Sequence, residues 1–548
     1  MLWRFTALLA LISLSAWPTV ASADNGGNRL GAIKHIVVIY EENHSFDNLY
    51  GGWEGVNGLA NADSTHTTQI NQTGGAYTCL QQNDVNLVVS PGACALPNTY
   101  FTIDNYISPT DTTCPPTPLV AFSRPNGWLK GTGAPGGCTR DIVHRFYQEQ
   151  YQLDAGRQDR YVTGSDAIGL AMGVYDTQSL PIYKYLHQPS HPHYAISDNF
   201  FQSAFGGSFL NHQWLIAAAS PTYPGAASTL HSIVDASGFP NATYPLYTTS
   251  GVRDAALTVA CPPPATVAGL ACGDYVVNTT QPAFQPSGAF GAKIPAQTNP
   301  TIGDRLNGAG VDWGWYSGGW SNASGDVNAP GWTNGNGPTC SDPYADPNVS
   351  SYPRCPSNVF QYHHQPFNYY AAFDPTTTSG AANRAAHLRD EQEFIQLAQA
   401  SNKTCQLKPV SFIKPIGLEN EHPGYASEPG GSSHLVQLLK AIDSSSCRKD
   451  TMVVVTYDEF GGQWDHVTPP GQGGASGPAD QWGPGTRIPA LIVSPQLRGN
   501  FVVDHTQYDT TSILATIEHR FGLAPLNTRD AAVNDLGNVF NALSPNTA

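Results

Sequence analysis

The sequence predicts an α/β fold, a mostly parallel central sheet flanked by helices, with long disulfide-stapled loop insertions. Three observations carry that expectation. First, four short apolar runs stop abruptly: "HIVVIY" before Glu41, "PVSFIKPI" before Glu419, "TMVVVTY" before Asp458 and "IPALIVS" before Pro495. They do not alternate apolar with polar, so they suit strands covered on both faces, as in a parallel sheet. Second, helical patterns lie between them, and strands alternating with helices point to an α/β arrangement. Third, two regions break this rhythm, from about Trp53 to Cys138 and from about Thr222 to Asn358. They are rich in Gly, Pro, Asn, Thr and Ser and hold eight of the ten cysteines. Loops of that length in a compact protein carry function or lie over a site.

In chain order, the opening stretch has one early Arg, an apolar run and a small-residue A-S-A ending at Ala23. It reads as a secretory signal spanning 1–23, which implies a secreted or periplasmic protein. No later segment has the roughly 18 consecutive apolar residues that spanning a membrane requires. Residues 24–548 read as one large α/β domain carrying insertions at about 53–138 and 222–358. The helical patterns are "DIVHRFYQEQYQLDAGRQDRYV" after Arg140, "ANRAAHLRDEQEFIQLAQA" ending near Ala400, and the shorter "SSHLVQLLKAI" and "YDTTSILATIEHRFGL". The cysteines are even in number and none forms a C-x-x-C pair. In an exported chain this favours disulfides over metal ligation, and neighbour pairing suits cysteines that bracket loops.

The balance of charge narrows the function. Only 12% of residues are charged and the formal net charge is −16. An acidic chain gains nothing from phosphate-backbone electrostatics, which argues against nucleic acid as a partner. No basic patch for an anionic membrane is present either.

Open α/β sheets bind ligands outside the carboxyl ends of their strands. Glu42 and Asn43 sit where the first apolar run ends, and Asp458 and Glu459 follow "VVVTY" with two glycines close behind. No basic residue stands beside the first cluster. Carboxylates that converge repel one another unless a cation lies between them. Oxygen ligands without thiolates favour a hard divalent metal ion of the Mg, Ca or Mn class. The alternative is that these acids are solvated helix caps. In "DNFFQSAFGGSFLNHQW", Gly206 and Gly207 make a tight turn and Ser208 opens a helical pattern. A helix start supplies free N–H groups for an alkoxide or a phosphoryl oxygen. Ser208 is therefore either a nucleophile or a plain N-cap. His144, His363, His364, His422 and His466 are candidates to stabilise phosphate charge or donate a proton. Ser45 is a weaker nucleophile candidate than Ser208.

These residues carry a resemblance. "HIVVIYEENHSFDNLYGG" resembles the E-N-x-S-F-D-x-x-F-G signature of the bacterial phosphoesterase family, which contains phospholipases C and AcpA-type acid phosphatases within the alkaline-phosphatase-like superfamily. "DNFFQSAFGGS", "NEHPGYA", "VVVTYDEFGGQWDHVTPP" and "GPGTRIPALIVSP" follow in the expected order. The resemblance implies a metal-dependent phosphoester hydrolase. Glu42, Asn43, Asp458 and Glu459 would bind one divalent metal ion, and Ser208 would touch it as the nucleophile. His422 and His466 fall within matching motifs, while His144, His363 and His364 lie in less distinctive segments. Ser at the nucleophile position resembles the acid phosphatases, whereas the Asp458–Glu459 pair resembles the phospholipases. The expected activity is phosphomonoester hydrolysis through a phosphoserine intermediate, with cleavage of phospholipid headgroup diesters as the alternative.

Overall fold

Seven residues, His35–Glu41, form strand β1 near the middle of an eight-stranded sheet. In this computed structural model the described residues are 26–545, apart from 83–92, 115–130, 132, 134, 235–253, 262–269, 289–290, 333–359 and 425. The other strands are β2 (Tyr194–Ser197), β3 (Trp313–Ser317), β4 (Leu388–Asp390), β5 (Val410–Lys414), β6 (Thr451–Tyr457), β7 (Ala490–Val493) and β8 (Phe501–Asp504). Their spatial order is β8–β2–β7–β6–β1–β5–β3–β4. β1 runs parallel to β5 on one side and β6 on the other, with Ile36 opposite both Val410 and Met452. Every residue of β6 is buried, as an unbroken apolar run requires.

The strand "IPALIVS" departs from the parallel expectation. It becomes β7, antiparallel to both β6 and β2. A parallel return needs a crossover, usually a helix, and residues 458–489 contain none.

The main helices are α1 (Phe146–Leu153), α2 (Ser208–Ala217), α3 (Thr378–His387), α4 (Glu391–Ala400), α5 (Glu428–Asp443) and α6 (Thr511–Phe521). Two differ from the sequence pattern. The stretch after Arg140 is not helical until Phe146, so His144 lies in irregular chain rather than on a helix. Arg145 is extended, and the Asp166 carboxylate holds the segment by accepting from Val143 N–H and pairing with Arg140. The pattern ending at Ala400 is two helices, because Leu388–Asp390 pairs with β3 and Asp390 then caps α4 through Gln392 N–H.

Four neighbour-paired disulfides are present, Cys79–Cys94, Cys114–Cys138, Cys261–Cys272 and Cys405–Cys447. Cys340 and Cys355 lie outside the described residues, as do the proposed signal and much of both insertions. No helix among the described residues is long and apolar enough to cross a membrane.

Helices α4 and α5 are joined by a buried ion pair. His434 Nε2 lies 2.8 Å from Glu391 Oε1, and Glu419 approaches its other ring nitrogen. Burial pushes the imidazole pKa down, but the two carboxylates outweigh it and raise the value to about 9. The unfolded-state value is near 6.5, so the folded protein binds the extra proton between these limits. The stabilisation is complete below about pH 6.5 and is lost as pH rises through about 9. Chemical denaturation of wild type and His434→Gln across this range is therefore expected to show a stability difference that shrinks by about 3 kcal/mol with rising pH.

Candidate active site

Parallel pairing of β1 with β6 runs through Glu41 opposite Tyr457, so the next residues of both strands emerge together at the same edge. Glu42 and Asn43 leave β1 there, beside Asp458 and Glu459 from β6. Asp458 Oδ1 accepts from the backbone N–H groups of Asn43 (3.2 Å) and Glu459 (2.8 Å), which locks the two strand ends to each other. Asn43 has φ +61°, turning the chain sharply after the strand. Gly461 makes room for that turn, since a Cβ there would fall 2.2 Å from the Asn43 carbonyl oxygen.

Ser208 reaches this cluster from α2. Its Oγ lies 3.3 Å from Asn43 Oδ1, 3.3 Å from Glu459 Oε1 and 3.5 Å from Glu42 Oε2. It is not a plain cap: Gly207 occupies the N-cap position, and the Ser208 hydroxyl points at the three acidic-edge residues instead. The preceding turn is held by Glu149, whose carboxylate accepts from Gly206 N–H (2.5 Å), Gln202 Nε2, and both the N–H and hydroxyl of Thr486. Gly206 has φ +88°, which favours glycine.

The acids are not wholly uncompensated. Lys414, the last residue of β5, places Nζ 2.5 Å from Glu42 Oε1, and His364 Nε2 lies 2.6 Å from the same oxygen. The strand end thus does have a basic neighbour, delivered from more than 370 residues away. Burial pushes the Glu42 pKa up, but His364 and Lys414 outweigh it and hold it well below the usual carboxylate range. For Asp458 and Glu459 the balance goes the other way, although Lys414 lowers Asp458 and the Gly461 N–H lowers Glu459. Burial and then the nearby Glu42 raise Asp458, while burial and then Asp458 raise Glu459.

The histidines divide. His422 Nε2 accepts from Asn43 Nδ2 at 2.9 Å, while its Nδ1 is within 2.6 Å of the Pro423 carbonyl. His144 Nε2 lies 3.2 Å from Glu459 Oε1 and 3.4 Å from Asn43 Nδ2, with Nδ1 on the Ile142 carbonyl. His363 is one layer back, with ring contacts to His364 and His212. His466 sits elsewhere: its Nδ1 is 2.5 Å from Asp47 Oδ2, in a buried network of Asp47, Asp465 and Arg487. Ser45 donates to the Trp464 carbonyl and caps a short helix, so it is spent structurally. Glu41 and His44, on either side of Glu42 and Asn43, are fully buried.

The donor set fits a hard divalent ion. Three buried carboxylates, an amide oxygen and a hydroxyl converge, and Asp458 Oδ2 is buried without a hydrogen-bond partner among the described residues. Glu42, His212 and His364 also present donor atoms within 4.8 Å of one another. Repulsion between Asp458 and Glu459 is the demand that a cation would meet.

Three contributors escaped the sequence reading. Lys414 interrupts the apolar run "PVSFIKPI", and a lone lysine in that run was the available signal. His212 is one helical turn beyond Ser208, donates from Nδ1 to the Ser208 carbonyl, and stacks on His364 at 5.0 Å. The signal was its i+4 spacing. Glu149 gave none, since its partners are distant in sequence. Because Glu149 anchors the turn that aims Ser208, Glu149→Ala is expected to lower kcat about 100-fold with a folded protein by circular dichroism.

The Phosphoesterase family profile matches residues 33–524. Phospholipase C A of Mycobacterium tuberculosis is 24% identical over 579 residues, covering 99% of this chain and 85% of that protein. Non-hemolytic phospholipase C of Burkholderia pseudomallei is 34% identical over 179 residues, covering 28% of this chain and 25% of that protein. Among solved structures, an alkaline phosphatase superfamily protein from Vibrio parahaemolyticus aligns with a TM-score of 0.25 at 12% identity, covering 71% of this chain and 67% of that one. With its profile match running from just before β1 to just after α6, the chain belongs to the Phosphoesterase family and is a hydrolase of phosphoester bonds.

Proposed function

We propose that the enzyme cleaves phosphodiesters of the phospholipid headgroup class, as a metal-dependent phospholipase C. The observation that carries the reading is the Ser208 hydroxyl, set at a helix start within 3.5 Å of Glu42, Asn43 and Glu459. Glu42, Asn43, Ser208, Asp458 and Glu459 would hold one divalent ion. When bound, it would offset the carboxylates and favour the ionised form of the Ser208 hydroxyl.

The chain's own groups supply the rest. Ser208 Oγ attacks phosphorus in line, forming one P–O bond as the bond to the leaving oxygen breaks. N–H groups at the start of α2 face the nonbridging oxygens. His144 and His422 both commit Nδ1 to a backbone carbonyl and turn Nε2 toward the reacting edge. Burial pushes the His422 pKa down, so it rests neutral. His144 keeps 16% of its side chain exposed, which allows reprotonation from solvent, and it serves as the proton donor to the leaving oxygen. Water then releases phosphate ester from Ser208, with the same imidazole accepting its proton.

Charge supports the diester. Lys414 already offsets one of the three carboxylates and a single divalent ion would offset the other two, so an ionised Ser208 leaves the cluster net negative. A singly charged diester is tolerated by such a site more readily than a dianionic monoester. The names of the relatives favour the same class. Phosphomonoester hydrolysis is the second reading, favoured by serine at the nucleophile position. Secretion or periplasmic export fits the disulfides and the opening apolar segment.

Ser208→Ala is expected to lower kcat about 10,000-fold on any substrate, and near-normal turnover would end the mechanism. A panel of phosphatidylcholine, p-nitrophenylphosphorylcholine and p-nitrophenyl phosphate, with metal add-back, tests the class, and preference for the monoester would restore the second reading. His144→Gln is expected to slow phosphatidylcholine cleavage about 100-fold but the p-nitrophenyl diester less than about threefold, since a good leaving group needs no acid.

A further inference from the structure

The two oxygens of Glu42 have different surroundings. Oε1 meets Lys414 Nζ at 2.5 Å and His364 Nε2 at 2.6 Å. Oε2 faces Ser208 Oγ at 3.5 Å and His422 Nε2 at 3.7 Å. Lys414 is completely buried, and its ammonium also donates to the carbonyl oxygens of Tyr40 (2.9 Å) and Glu41 (3.2 Å). Two of its N–H groups are taken by backbone carbonyls, and the Glu42 Oε1 contact is one of charge. Both carbonyls belong to the strand that carries Glu42. The lysine therefore grips the backbone of β1 and the outer oxygen of its first exit residue at once.

We propose that Lys414 is a positioning residue that holds Oε1 of Glu42 away from the metal position, so that the carboxylate offers Oε2 alone. This rests on the metal-site reading given above. A carboxylate restricted to one oxygen suits a small ion of strict six-fold geometry, whereas Ca²⁺ readily takes both oxygens of a carboxylate. Lys414 thereby selects against Ca²⁺ in favour of ions such as Mn²⁺ or Mg²⁺. Removing the lysine leaves Oε1 with His364 as its one remaining basic neighbour, which loosens the carboxylate and lets Oε1 turn toward the ion.

The charge lost in Lys414→Met alters affinity for all divalent ions in the same direction, so absolute affinity does not report on positioning. The ratio of Ca²⁺ to Mn²⁺ dissociation constants largely cancels that effect and reads the freedom of Glu42. Calorimetric titration of metal-stripped wild type and Lys414→Met measures it. The Met variant is expected to shift the ratio about tenfold toward Ca²⁺. A crystal structure of Mn²⁺-loaded wild type gives a second measurement that needs no variant to fold, and Glu42 is expected to contact the ion through Oε2 only. An unchanged ratio in a folded Met variant, or Glu42 bound through both oxygens in wild type, overturns the proposal and leaves the metal site standing. Failure of wild type to bind either ion overturns both.

Discussion

The cluster of acids at the sheet edge follows from the parallel pairing of β1 with β6. Two adjacent parallel strands end at the same edge, so their exit residues must share one small volume. Here those residues include three buried carboxylates, Glu42, Asp458 and Glu459. Such groups repel strongly once removed from water. The protein resolves only part of this. Glu42 is drawn into its ionised form by His364 and Lys414, while Asp458 and Glu459 are pushed toward protonation. The unmet demand lies on the β6 side, next to the Ser208 hydroxyl.

A second constraint is geometric. Ser208 must approach the cluster from a turn that exposes its hydroxyl without burying loose backbone donors. Glu149 satisfies Gly206 N–H and Thr486 together, and Gly207 lies against His144, where a Cβ would come within 2.9 Å of its ring. The turn, Ser208 and His144 are thus a single packed unit. Both His144 and His422 have their tautomers set by backbone carbonyls, which leaves Nε2 of each facing Asn43.

Behind the site, Arg487 is fully buried between Asp47 and Asp465, with its guanidinium 4.3 Å over the Phe46 ring. Asp47 also holds His466 through its backbone N–H and its ring. This network joins three motifs that are far apart in sequence: the one after β1, the one after β6 and the one before β7. It accounts for His466 lying within a matching motif while making its contacts away from Ser208. A buried pair of this kind is costly to break by removing one partner, because the other charge is left uncompensated.

The apolar runs determined β1, β5 and β6, since an unbroken run of seven buried residues such as Thr451–Tyr457 has few other places to go. The cysteine count favoured disulfides but left their connectivity open, and the fold brings eight cysteines together as neighbours, across spans from 11 to 42 residues. Glu42, Asn43, Asp458, Glu459 and Ser208 were legible as strand-end or helix-start residues in distinctive motifs, and the fold brings them together. Tertiary structure alone decided the direction of β7, the irregular chain around His144, and the split of the helix at Leu388–Asp390. Each depends on what lies alongside rather than on local pattern. It alone also supplied Lys414, His212 and Glu149. Their partners are set by packing across the sheet, along a helix face and against a turn, and a charge balance cannot be read from a strand whose neighbours are unknown.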